Sequence, residues 1–255
     1  MKWTVFSLAG FLLVSPLALA QSSQQPQPLN ANVSDFGTSY IFSPPPICPG
    51  CLETELGFLG ISAGRQVGTA ITAAPFRSHT DFTALFNLID SEKLGNDRFT
   101  QFGNRIDVVI RQQVYSKGTF EFTAAPRGTV FLHGTDGGRI GGTAALQYGR
   151  GKYLGALNLN FTRALSNPSS GARNDYLTCF DLYRTLGERG ASWFAGFQQE
   201  TSTGNDTTIG VEQGLVLPFR NGQVELAAEE LTLNTSTVIQ LQARAIVNWG
   251  HVFHR

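Results

Sequence analysis

The chain has little of what marks most protein classes. Of its 255 residues one is methionine and three are cysteine, and only 15% are charged. Nineteen basic residues balance nineteen acidic ones, so no surplus of positive charge points to nucleic acid as a partner. After the first 20 residues no apolar run reaches 18 residues, which excludes helical membrane spans. Strands that alternate apolar and polar residues average out in hydropathy, so a membrane-spanning β-barrel is not excluded. There is no internal repeat, no long amphipathic helix and no G-x-S-x-G nucleophile elbow.

What is present begins with an export signal. Residues 1–20 read as a cleaved signal peptide, with Lys2 as the basic flank, an apolar stretch over residues 3–14, and Ala18-Leu19-Ala20 before Gln21. Its cleavage would remove one lysine and no acid, taking the formal charge from 0 to −1. No cysteine lies at the cleavage site, which argues against a lipid anchor. Residues 21–52 form a short disordered lead-in, rich in Gln, Ser, Asn and Pro, that carries Pro44-Pro45-Pro46. Proline lacks the ladder N–H, so this stretch is unsuited to a sheet interior. It runs into Cys48-Pro49-Gly50-Cys51, which in an exported chain reads first as a small disulfide loop. Free thiols and redox or metal work are the alternatives, but there is neither a βαβ context nor a further ligand nearby. Cys179 stands alone in a strand pattern as a small buried or face-lining residue.

Residues 53–255 read as strand after strand, all-β and antiparallel. The count is about twelve strands, with ten as the alternative; the soft points are a bend at Pro126 within residues 118–133 and the region 53–74. Residues 91–103 are taken as a connection. In residues 153–161, Tyr153, Leu157, Leu159 and Phe161 share one face, while Asn158 and Asn160 lie on the other. Short, glycine-bearing turns alternate along the chain with longer or more polar connections, as they do in outer-membrane barrels. The same strands would also suit a secreted soluble barrel or sandwich with its oily face inward. Sparse charge on the strands favours the membrane barrel, because low surface charge serves an exported soluble protein poorly. The oily face then meets lipid, and Arg111, Glu212, Glu225, Glu229 and Arg244 line a lumen.

The final stretch, residues 237–253, alternates Ile239, Leu241, Ala243, Ala245, Val247 and Trp249 against Gln240, Gln242, Arg244 and Asn248, and reaches Phe253. It resembles the C-terminal strand of Gram-negative outer-membrane β-barrels, with the difference that His254 and Arg255 follow the aromatic residue. Together with the leader and the strand rhythm, the chain resembles porin-like barrels and outer-membrane transporters as a class. The resemblance implies an antiparallel up-and-down transmembrane β-barrel in the outer membrane, with Trp249 and Phe253 as its assembly signal. The implied partners are outer-membrane lipid, the barrel assembly machinery and a small solute, with no nucleic acid and no cofactor. The expected function is a pore or transporter for small solutes. A non-conducting structural or adhesion barrel, an outer-rim barrel enzyme and a soluble binding protein are the alternatives. His133-Gly134-Thr135-Asp136 is the one local cluster with catalytic residue types. It lacks an activated nucleophile and a third metal ligand, so no catalytic or metal site is assigned and no enzyme is expected.

Overall fold

The computed structural model describes residues 47–61, 64–75, 79–94, 97–103, 105–132, 138–166, 173–187, 190–203, 207–233 and 236–253. The expected signal peptide (residues 1–20), most of the expected lead-in, the His133–Asp136 cluster, His254 and Arg255 lie outside them. Among the described residues there are thirteen β-strands and no helix. They are β1 (Cys51–Ile61), β2 (Gly64–Ala73), β3 (Thr80–Leu94), β4 (Asp97–Phe102), β5 (Arg105–Lys117), β6 (Phe120–Phe131), β7 (Arg139–Arg150), β8 (Tyr153–Ala164), β9 (Asn174–Leu186), β10 (Ala191–Ser202), β11 (Thr207–Phe219), β12 (Gly222–Leu233) and β13 (Ser236–His251).

Successive strands pair antiparallel, and β13 pairs with β1, so the sheet closes on itself. β4 and β5 occupy one place in the wall. β4 pairs with the far end of β3, from Ile89↔Phe102 to Leu94↔Asp97. β5 pairs with its near end, from Thr80↔Gln112 to Phe86↔Ile106. Gly103, at φ 58°, makes the break between them. The result is a closed barrel with twelve wall positions. Residues 91–103, expected as a connection, instead extend the β3–β4 hairpin, because strand pairing continues beyond the alternating segment.

Alternation sets the two faces, and their polarity is the reverse of a soluble protein's. On β13, Gln240 and Gln242 are 2% and 4% exposed, whereas Leu241 between them is 59% exposed. On β5, Asp107, Val109 and Arg111 are buried while Val108 and Ile110 are exposed. Leu56, Phe58, Ile71, Phe161, Phe180, Phe197 and Val211 carry the apolar outer surface round the wall. Such a surface would be costly in water, and closure of the ring through β1 and β13 pairs the strand edges internally, β4 alone being paired on one side only among the described residues. The short β4 aside, the strands have 10 to 16 residues, long enough to cross a bilayer.

The short turns fall at one end. Gly118 and Gly151 adopt φ of 63° and 62° in the β5–β6 and β7–β8 hairpins, a conformation glycine enters without a Cβ penalty. β5 runs on to Lys117, so its turn lies at residues 118–119. Pro126 sits inside β6 without ending it, where the β5–β6 ladder lapses between Val109↔Arg127 and Gln112↔Ala124.

The barrel's closing seam lies at the same end. Cys48 and Cys51 form a disulfide with a Cα–Cα distance of 5.3 Å. Gly50 N donates to Ala74 O at 2.6 Å, and Gly50 O accepts from Val252 N and Phe253 N at 2.8 and 3.1 Å. The loop thus ties β1, the end of β2 and the C-terminal segment together. β13 ends at His251, short of the expected Phe253. Gly250 turns the backbone at φ 72°, and the β1–β13 register shifts between Leu52↔Gly250 and Glu53↔Asn248. Trp249 therefore sits in a β-bulge, 60% exposed, with its Nε1 donating to Thr54 Oγ1 at 3.0 Å.

Candidate transport lumen

The inward positions of the strands fill the barrel with polar side chains at three levels. At the short-turn end, Arg111 on β5 donates from Nε to Asp81 Oδ1 at 2.7 Å and from Nη2 to Asp81 Oδ2 at 2.6 Å. The backbone N–H of Ile47 also donates to Asp81 Oδ2, at 2.9 Å. Round the wall, Arg244 on β13 donates to Glu225 Oε2 on β12 from Nε at 2.9 Å and from Nη2 at 2.5 Å. Its Nη1 lies 3.6 Å from Glu55 Oε1 on β1.

At mid-height the wall is acidic. Glu229 accepts from three amides: Gln198 on β10, Gln240 at 2.9 Å and Gln242 at 2.8 Å, both on β13. Glu212 is its register partner across the β11–β12 ladder. Gly196, in turn, pairs with both Glu212 and Asp181. A Cβ at Gly196 would overlap Asp181 Oδ1, and one at Gly210 would overlap Glu229 Oε1. The two glycines thus give the carboxyls room against the wall. Beside them Tyr183 donates to Asp181 Oδ2 at 3.2 Å and stacks on Phe194, with ring centroids 5.2 Å apart. Asn158 is fully buried, and among the described residues neither atom of its amide has a hydrogen-bond partner. Glu212 Oε2, Gln66 Oε1 and Asn87 Oδ1 likewise have unused hydrogen-bonding capacity.

At the end with the longer connections, Asp107 is held by Arg105 Nε at 2.9 Å, Arg127 Nη2 at 3.0 Å and the Thr129 hydroxyl. Asp175 is held by Arg139, by Ser202 Oγ at 2.5 Å and by Thr162 Oγ1 at 3.4 Å. Arg105, Asp107, Arg127, Arg139, Asp175 and Glu200 surround a cleft of about 40 Å³.

Two physical properties follow. Charge in a low-dielectric wall is expensive unless compensated, and the two ends meet that cost with arginine–carboxylate pairs while the middle meets it with amides. At mid-height Glu229 is satisfied by amides where the two ends use arginines. The interior is also narrow, since Asp81, Thr123, Ala145, Asn158, Asp181 and Phe194 are all 0% exposed to water.

The structure places Arg111, Glu212, Glu225, Glu229 and Arg244 on the inner side of the wall. Glu225 and Arg244 form one pair and Glu212 and Glu229 another, while Arg111 stands on a different part of the wall with Asp81. Sequence reading set Asp107 on the polar face with Arg111 without naming it a lumen residue, and missed Asp81, Asp175, Asp181, Arg105, Arg127 and Arg139 as parts of the interior. The parity of the strands could have found most of them: Asp107 stands four residues before Arg111 on the same face, and Asp181 two after Cys179. Their cross-strand partners could not be found so, because alternation does not state register. Cys179 is buried in the interior, in register with Asn158. Among the described residues no three His, Cys, Asp or Glu side chains are grouped to hold a metal ion.

No family model matches the chain, and no curated protein matches it. Solved structures do. The KdgM porin superposes with a TM-score of 0.50 at 13% identity, covering 79% of this chain and 99% of that one. The KdgM porin in complex with disordered oligogalacturonate gives 0.52 at 11% identity, with the same coverage. At these identities the likeness establishes the fold alone, a closed antiparallel β-barrel.

Proposed function

We propose that this chain is an outer-membrane channel for small polar solutes. The observation that carries the reading is the inverted polarity of the wall: an apolar outside encloses an interior rich in charged and polar side chains, interrupted by a small apolar cluster of Ala70, Leu85, Val109 and Ala125. Residues 1–20 would direct export and be removed. The short turns, the disulfide loop and the C-terminus would face the periplasm, an oxidising compartment in which Cys48 and Cys51 stay paired. Trp249 and Phe253 would be what the barrel assembly machinery reads.

The interior also narrows the class of solute. Glu212, Glu229 and Asp181 at mid-height favour cations and neutral polar molecules over anions. The oligogalacturonate of the porin complex is a polyanion, so it is a poor guide to the solute here. Permeation requires brief separation of the arginine–carboxylate pairs, so conductance should be small. Single-channel recording of the refolded protein in planar bilayers tests the proposal. Discrete current steps support it, and a silent bilayer sinks it.

The near-complete burial of the mid-height side chains supports one other reading, a barrel filled by its own side chains that does not conduct. The same recording separates the two.

A further inference from the structure

The outer wall carries a groove that the channel reading does not use. It measures about 410 Å³ and lies over β7, β8 and β9, near the short-turn end. Gly155 creates it. On the lipid-facing side Gly155 stands in register between Tyr148 and Leu182, and its missing side chain leaves a slot walled by Leu146, Leu157 and Phe180. One register row nearer the barrel end, Arg150 pairs with Tyr153 and Tyr153 with Arg184. The Arg184 guanidinium lies 5.9 Å from the centroid of the Tyr153 ring. Both arginines are exposed, and neither has a carboxylate partner among the described residues. Lys117 and Lys152 add positive charge to the same rim.

An apolar slot on the lipid face, edged at its interfacial end by Arg150 and Tyr153 with Arg184 over the Tyr153 ring, matches one chemistry: an acyl chain joined to a phosphate. Arginine's planar fork suits phosphate oxygens, and the belt between membrane and water is where such a headgroup lies. We infer that this groove holds one anionic phospholipid of the inner leaflet, with an acyl chain along Gly155 and the phosphate between Arg150 and Arg184. The leaflet rests on the short turns facing the periplasm; the site itself does not depend on conduction.

Native mass spectrometry of the refolded barrel, released from micelles doped with dimyristoyl phosphatidylglycerol, phosphatidylcholine or lipid A, tests this. One phosphatidylglycerol should be retained with a roughly tenfold preference over phosphatidylcholine, equivalent to about 1.4 kcal/mol. The double variant Arg150→Gln, Arg184→Gln should lose the preference. Gly155→Leu should lose retention of both phospholipids. A Cβ at Gly155 would meet its nearest atom, in the Phe180 ring, at 3.8 Å, so the wall accepts a side chain there. Unchanged heat-modifiable migration on gels would establish that the variants remain folded. Equal retention of phosphatidylglycerol and phosphatidylcholine, or an unchanged preference in the arginine double variant, would overturn the site. A preference for lipid A over phosphatidylglycerol would overturn the leaflet and the orientation behind it.

Discussion

Arg111 and Asp81 face each other across the β3–β5 ladder, and both of the carboxylate's oxygens accept from the guanidinium, at 2.6 and 2.7 Å. Both side chains are almost wholly buried, and removing one would leave the other charge uncompensated. Arg111→Ala should therefore lower stability by about 3–5 kcal/mol. The double variant Arg111→Leu, Asp81→Leu should lose less than Arg111→Ala. The urea midpoint of unfolding in micelles measures both; a double variant worse than the single one would contradict the pairing.

The disulfide acts on the seam. Its loop shares backbone hydrogen bonds with the end of β2 and with the C-terminal segment. Closing so short a loop is worth about 2 kcal/mol in the chain-entropy account. Reductant should lower the melting temperature of the wild type and leave that of Cys48→Ser, Cys51→Ser unchanged. If both respond alike, reductant acts elsewhere.

The C-terminal strand supports a prediction about assembly. Deleting residues 249–255 should block insertion, since it removes the bulged Trp249 and both N–H groups that bond Gly50 O. Removing only His254 and Arg255 should leave insertion intact. The fraction of heat-modifiable protein in membranes reads the difference, and a block by the shorter deletion would mean that Phe253 is not the effective terminus.

Gly196 has its own test. A Cβ there would overlap Asp181 Oδ1, so Gly196→Ala must displace that carboxyl or shift the wall. Overpacking of this kind costs about 1–3 kcal/mol. Gly155→Ala, placed in open contact on the outer face, should cost far less in the same urea titration.

Much of the wall was legible because one physical rule governs it. A strand between lipid and a polar interior must alternate, and Gln240, Leu241, Gln242 show this in three consecutive residues. Turns were legible where glycine is required, as at Gly118 and Gly151. What could not be read depends on register and on breaks in alternation. Residues 97–102 pair beyond the alternating part of β3. The bulge at Trp249 comes from Gly250, whose positive φ the amphipathic pattern does not announce. In the interior, Arg111 and Glu229 could be assigned to a face, but Asp81 and the three glutamines round Glu229 come from strands whose offset the sequence does not state.

The central claim, a conducting lumen with an acidic middle, is tested most directly by the reversal potential of the refolded barrel in a planar bilayer under a potassium chloride gradient. The account predicts small unitary currents with cation selectivity in the wild type, and selectivity reduced or lost in Glu212→Gln, Glu229→Gln. Anion selectivity in the wild type, or no current at all, would contradict it.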